Sequence, residues 1–158
     1  MHRKILLQPL AACLLLALTG LSTAQAESGH WYLQTSVYTR HFVNNDTYNN
    51  RQDLIGLEHN RANKMIYGAA TFRNSFSQRS YYAYAGKRLD ADGLPVYVKL
   101  SGGLVHGYRG EYRNNLPLNR FGVAPVIIPA VGANLGPVGV EWVLLGFAAT
   151  MVNVGVRF

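Results

Sequence analysis

Beyond residue 26 the chain holds no long apolar run, yet aromatic and β-branched residues alternate with polar or small ones in segments of about ten residues. Clusters of Asn, Asp, Gly and Pro separate the segments, and each cluster is chemically a turn or loop. Eight segments are read, at 31–42, 52–59, 64–73, 79–89, 95–108, 121–133, 137–145 and 148–158. Period-two alternation puts one row of side chains on each face of a strand, so the chain must form sheet with two chemically different faces. The last segment shows it best. Val152, Val154, Val156 and Phe158 form one row, and Met151, Asn153, Gly155 and Arg157 the other.

Alternation by itself fits two architectures. In a lipocalin-like barrel the apolar row faces inward, and in a transmembrane barrel it faces lipid. Three features select the second. His2-Arg3-Lys4, a mostly apolar run to about Leu21, and Ala24-Gln25-Ala26 have the layout of a cleaved secretory signal, so residues 1–26 are expected to be a signal peptide and residues 27–158 the outer-membrane β-barrel. Cys13 is the only cysteine and leaves with the signal, so the secreted domain has no disulfide to replace a large core, whereas a closed sheet in a bilayer needs none. The terminal Phe158, preceded by apolar residues at every second position, is similar to the signal read by the outer-membrane assembly machinery, an expected partner. The expected fold is therefore all-β, an eight-stranded antiparallel transmembrane β-barrel. Its longer connections, about residues 43–51 and 109–120, belong on the outer side and its short turns on the periplasmic side.

Of the 15 basic residues, Arg3 and Lys4 go with the signal, which leaves a net charge of +5 against 8 acidic residues. The charges are scattered rather than gathered in a stripe, which excludes a nucleic-acid groove and favours attraction to acidic lipopolysaccharide. His30, His41, His59 and His106 are not at metal-ligand spacing, so no metal and no cofactor is expected. On the eight-strand map His41 falls at the outer end of strand one and Asn74-Ser75 at the outer end of strand three. A histidine beside a serine hydroxyl serves acyl transfer as general base, and an asparagine amide orients the imidazole or binds the developing oxyanion. Wet rim positions also carry His, Asn and Ser without any chemistry. Pro125 and Pro129 lie inside strand six and Pro137 begins strand seven. Proline removes a ladder donor, so these residues imply either a gap through which a lipid chain enters sideways or a bulged strand end.

Pro125-Val126-Ile127-Ile128-Pro129 through Gly136-Pro137-Val138 resembles the Pro-Val-Leu-Leu-Pro and Gly-Pro-Val segments of the PagP-type lipid A palmitoyltransferases, at the same spacing. Phe72-Arg73-Asn74-Ser75-Phe76 is similar to that family's Phe-Lys-Asp-Ser-Trp, continuing to a glycine that falls on Gly86. The similarity runs over residues 64–158 and is loose over 31–63. It implies an outer-membrane acyltransferase that takes a palmitoyl-type chain from a phospholipid and gives it to lipid A. It further implies Ser75 as the catalytic serine, Asn74 where the family usually has Asp, Gly86 as the floor of the acyl-chain pocket, and Pro125, Pro129 and Pro137 as the lateral lipid gate. Tyr84 and Tyr82 share the parity of Gly86 and are expected to narrow the pocket, with Tyr67 and Ala69 facing the same interior. The family's first-loop histidine precedes a Phe by a few residues. Here His41 directly precedes Phe42, and an ungapped alignment would place Thr39 there, so His41 is chosen as base on chemical grounds with His106 in reserve. A monomer working on phospholipid and lipid A is expected. The alternative is a non-catalytic small outer-membrane barrel, a passage or a structural protein, which would need a continuous polar lumen in place of an apolar upper interior.

Overall fold

In the computed structural model, which describes residues 29–158, the alternating segments are antiparallel strands. They are β1 (His30–His41), β2 (Ile55–Asn60), β3 (Met65–Arg73), β4 (Arg79–Asp90), β5 (Val96–His106), β6 (Val123–Leu135), β7 (Val138–Leu145) and β8 (Ala149–Arg157). Each strand pairs with its sequence neighbour, and β1 closes on β8, so the sheet is a closed barrel. Trp31 and Phe158 exchange both backbone hydrogen bonds at 2.9 Å, which carries the closure to the last residue. The expected signal peptide and Cys13 lie outside the described residues. An even strand count puts His30 and Arg157 at the same end, with the short connections 61–64, 91–95 and 136–137. This is the terminal end. The long connections 42–54 and 107–122 lie at the other, the loop end, with 74–78 and 146–148.

Side chains sort by parity. Leu33, Leu57, Val98, Leu100, Leu104, Ile127 and Trp142 are exposed on the outer face. Exposed aromatics flank this apolar band, Trp31, Tyr67 and Phe158 toward the terminal end and Phe42, Tyr81, Phe121 and Phe147 toward the loop end. An apolar band between aromatic girdles is the surface of a barrel that spans a bilayer, and removing it from water is what favours that location. The last strand follows the predicted assignment, with Met151 and Asn153 buried in the lumen.

Parity breaks once in β1. Ser36 pairs with Asn153 and Tyr38 with Val152, so Val37 is an inserted residue, a β-bulge. Before it Tyr32 and Gln34 face the lumen, and after it Thr39 and His41 do. A one-residue insertion turns every later side chain to the opposite face, and without it His41 would point into lipid.

The lumen near the terminal end is filled by tyrosines laid over glycines of other strands. A Cβ on Gly68 would lie 2.4 Å from the Tyr84 ring, one on Gly132 2.4 Å from the Tyr97 ring, and one on Gly155 2.4 Å from Tyr32. The glycines leave the space that the rings occupy, which lets large side chains fill a narrow barrel.

Candidate functional site

His41 ends β1, is 8% exposed, and is turned inward by the bulge. Its Nε2 lies 2.7 Å from Ser75 Oγ, in the β3–β4 turn, and its Nδ1 lies 2.8 Å from Asn50 Oδ1, in the β1–β2 loop. The loop is tied to the turn by Asn49. Its N–H donates to the Ser75 carbonyl at 2.7 Å and its side-chain amide to the Asn74 carbonyl at 3.2 Å. An aromatic cover lies beside the histidine. Tyr48 packs on the His41 ring at 4.8 Å, Phe76 meets Tyr48 edge-on, and Tyr112 stacks on Phe76 at 3.9 Å. Tyr108 joins Ser75 in lining the space beneath. Burial pushes the Tyr108 hydroxyl above its ordinary value, partly offset by the neighbouring Ser75 hydroxyl, so it remains a neutral O–H donor.

The sequence-expected residues divide. His41 and Ser75 come together at hydrogen-bond distance. Asn74 does not join them. It is 1% exposed and organises the turn: its Oδ1 accepts from the N–H groups of Phe76 at 2.9 Å and Gln78 at 3.0 Å, while its Nδ2 donates to Ser80 Oγ at 3.1 Å. This is an Asx-type turn, in which the amide is engaged by the local backbone and by Ser80 instead of by His41. Asn50, with no motif around it, stands where an orienting amide was expected of Asn74. Thr39 faces the lumen two residues below His41, and His106 is exposed on the outer face with its Nδ1 2.7 Å from the Gly122 carbonyl, away from Ser75.

Below Ser75 the lumen opens into a cavity lined by Leu54, Ala70, Phe72, Val105, Ile128, Ala130, Val143, Leu145 and Met151. Tyr82 and Tyr84 also line it, stacked on one another at 4.8 Å. Tyr67 and Ala69 face outward, and the inward residues of β3 are Ile66, Gly68, Ala70 and Phe72. The cavity ends on charge. Lys99 Nζ donates to Glu58 at 3.1 Å and to both Glu141 oxygens at 2.7 and 2.8 Å. The Tyr84 hydroxyl donates to Glu58 and the Tyr97 hydroxyl to Glu141, each at 2.8 Å. Gly86 does not line the cavity; it follows Tyr84 on the terminal side and pairs with Ser101 of β5.

One wall is open. β6 pairs with β5 over residues 123–133, but with β7 only from Ala130 to Leu135. By that register Pro129 and Ile128 would face Leu144 and Leu145, yet the ladder stops at Ala130. Residues 123–129 therefore have no strand on that side among the described residues. Pro125 and Pro129 sit on this stretch with exposed, outward-facing side chains, where the lost N–H deprives no partner. Both edges of the slot, Ile128 and Ala130 on β6 and Val143 and Leu145 on β7, also line the cavity. Pro137 is elsewhere, in the two-residue β6–β7 turn at the terminal end. There Gly136 takes φ 63° and the Pro137 carbonyl accepts from Arg157 N–H at 2.8 Å.

No family model and no curated protein matches the chain. Among solved structures, it is similar to a chain from the de novo design of transmembrane β-barrels, 8% identical, over 84% of this chain and 98% of that one, with a TM-score of 0.54. It is also similar to the outer membrane protein Ail of Yersinia pestis, whose backbone structure was solved in phospholipid bilayer nanodisc: 16% identity, 82% of this chain, 99% of that chain, TM-score 0.44. The first likeness is one of fold: a closed antiparallel transmembrane β-barrel.

Proposed function

We propose that the protein is an outer-membrane acyltransferase that moves a palmitoyl-type chain from a phospholipid to lipid A. The observation that carries this reading is the 2.7 Å contact between His41 Nε2 and Ser75 Oγ at the mouth of an apolar cavity with a side opening to the membrane. Ser75 Oγ attacks the ester carbonyl carbon of the donor and gives its proton to His41 Nε2. The carbon–oxygen bond to the glycerol oxygen breaks, that oxygen takes the proton from His41, and a lysophospholipid leaves the chain on Ser75. A lipid A hydroxyl then gives its proton to His41, takes the acyl group, and Ser75 regains its proton. The Tyr108 hydroxyl supplies a neutral donor for the oxyanion.

The rest of the site supports the same chemistry. The slot beside Pro125 and Pro129 admits a lipid tail at membrane depth, and the Glu58–Lys99–Glu141 floor stops a methyl end that cannot enter a charged network without breaking it. The exposed arginines at the loop end, including Arg40, Arg51, Arg73, Arg79, Arg109 and Arg113, suit the phosphates of lipid A. A passage would need a continuous polar lumen, whereas this one is apolar in one part and filled in the other. The Trp31–Phe158 pairing leaves the Phe158 side chain 41% exposed, which suits recognition by the assembly machinery.

Expression in a strain lacking palmitoylated lipid A, with lipid A read by mass, tests the reading. The expected result is lipid A heavier by one acyl chain, with His41→Ala and Ser75→Ala each lowering the yield by about 100- to 10,000-fold. Unmodified lipid A from cells with the folded barrel in their outer membrane would overturn it.

A further inference from the structure

We infer that Asn50 is the positioning residue of the site, completing a Ser75–His41–Asn50 relay in which a neutral amide takes the place of the usual carboxylate; this rests on the acyl-transfer reading. The two ring nitrogens of His41 face different partners, Nε2 toward Ser75 Oγ at 2.7 Å and Nδ1 toward Asn50 Oδ1 at 2.8 Å. A neutral imidazole carries one N–H. It accepts the serine proton at Nε2 only if that hydrogen is on Nδ1, and an amide oxygen at Nδ1 selects this tautomer. With the opposite tautomer, Nε2–H would donate to Ser75 Oγ and the serine would lose its base.

The placement of Asn50 is built in. Asn49 fastens the preceding residue to the Ser75 and Asn74 carbonyls, and its own side-chain Oδ1 accepts from Arg51 N–H at 2.9 Å. Gln52, 5% exposed, donates to the Asn49 carbonyl at 2.9 Å. Asn50 is thus held between two anchored residues, with its amide against a buried ring. The titratable and charged groups of the surrounding segments do not take this role. His41 meets Tyr48 through the ring face, Tyr108 lies by Ser75, and the Asp53 carboxylate is directed to Arg73 at 3.9 Å. Asn74 spends both ends of its amide on its own turn and on Ser80 at the start of β4.

A neutral orienter has a consequence that a carboxylate would not. A carboxylate against Nδ1 favours the protonated ring, and an amide oxygen does so far less. An amide at this place therefore gives weaker support to the imidazolium formed during transfer.

The test combines nitrogen NMR of the folded, ¹⁵N-histidine-labelled barrel in micelles with transfer kinetics across pH. His41 is expected as the Nδ1–H tautomer in the parent and as a tautomer mixture in Asn50→Ala. Asn50→Ala is expected to lose about 10- to 100-fold in kcat with KM unchanged. Asn50→Asp should recover most of kcat, with the acid limb of its pH profile moved to higher pH. An Nε2–H tautomer in the parent overturns the proposal whether or not the barrel transfers acyl chains. So does an Asn50→Ala variant that keeps parental kcat while Ser75→Ala and His41→Ala are inactive, or an Asn50→Asp profile that superimposes on the parent's. Loss of transfer in every form with the Nδ1–H tautomer retained counts against the acyl-transfer reading and leaves the relay supported by the NMR.

Discussion

Toward the loop end the lumen is lined by Leu54, Ala70, Phe72, Ile128, Val143 and Met151 around open space, whereas toward the terminal end it is packed solid with Tyr32, Glu58, Tyr84, Tyr97, Lys99 and Glu141. One barrel thus holds two interiors. In the first, apolar side chains surround a cavity that a slot connects to the outer face. In the second, rings on glycines and a buried cation between carboxylates fill the barrel. The difference assigns the work: the charged part keeps the barrel in one shape, which allows the other part to stay empty.

Removing the cation should separate the two parts most sharply. Lys99 is 7% exposed and its partners Glu58 and Glu141 are 1% and 2% exposed. Lys99→Met leaves two buried carboxylates facing each other, and loss of one partner from a buried pair costs about 3–5 kcal/mol. A fall of that size in unfolding free energy, measured by urea titration in detergent micelles, is expected. Changing Glu58 and Glu141 to Gln in the same variant should recover most of it, because neither charge is then left unpaired. If Lys99→Met alone unfolds at the parental midpoint, the charged part is not what sets the shape.

A smaller effect is expected at the glycines. Gly68→Ala would put a Cβ 2.4 Å from the Tyr84 ring end, whose hydroxyl is held by Glu58 at 2.8 Å, so the ring must shift and the bond must weaken. Overpacking of this kind costs about 1–3 kcal/mol. Gly102→Ala is the matched control, since its Cβ would meet nothing closer than the Val126 carbonyl at 4.0 Å, and it should be near neutral in the same titration.

The walls of both interiors were legible in the sequence, and their boundary was not. Alternation and Asn, Gly and Pro clusters locate eight strands because period two and turn chemistry are local properties. The face that each residue takes depends on register, which one inserted residue overturns. Val37 and Tyr38, both apolar, give no sign of the bulge that brings His41 inside. Tyr67 and Tyr84 read alike, yet the inward position on β3 is Gly68, left small because Tyr84 lies over it. Asn74 looked like the partner of a histidine because it adjoins Ser75, although its amide is taken up by Phe76, Gln78 and Ser80. Asn50 carries no motif at all. Its role comes from a loop folding back onto a turn, a long-range contact that spacing along the chain does not encode.

The empty part of the lumen should respond oppositely to added bulk. Ala70 lines the cavity, and Ala70→Leu would extend methyl groups into open space instead of into a packed ring. Overpacking strain is therefore small, and unfolding free energy should change by less than about 1 kcal/mol. Under the acyl-transfer reading the cost appears in selectivity instead: space taken from the cavity is space the chain cannot use, so transfer should shift toward shorter chains. Lipid A mass spectra from cells offered phospholipids of mixed chain length would show it. A variant that loses stability as Gly68→Ala does, with chain preference unchanged, would mean that Ala70 belongs to the packed interior and that the boundary between the two lies nearer the mouth.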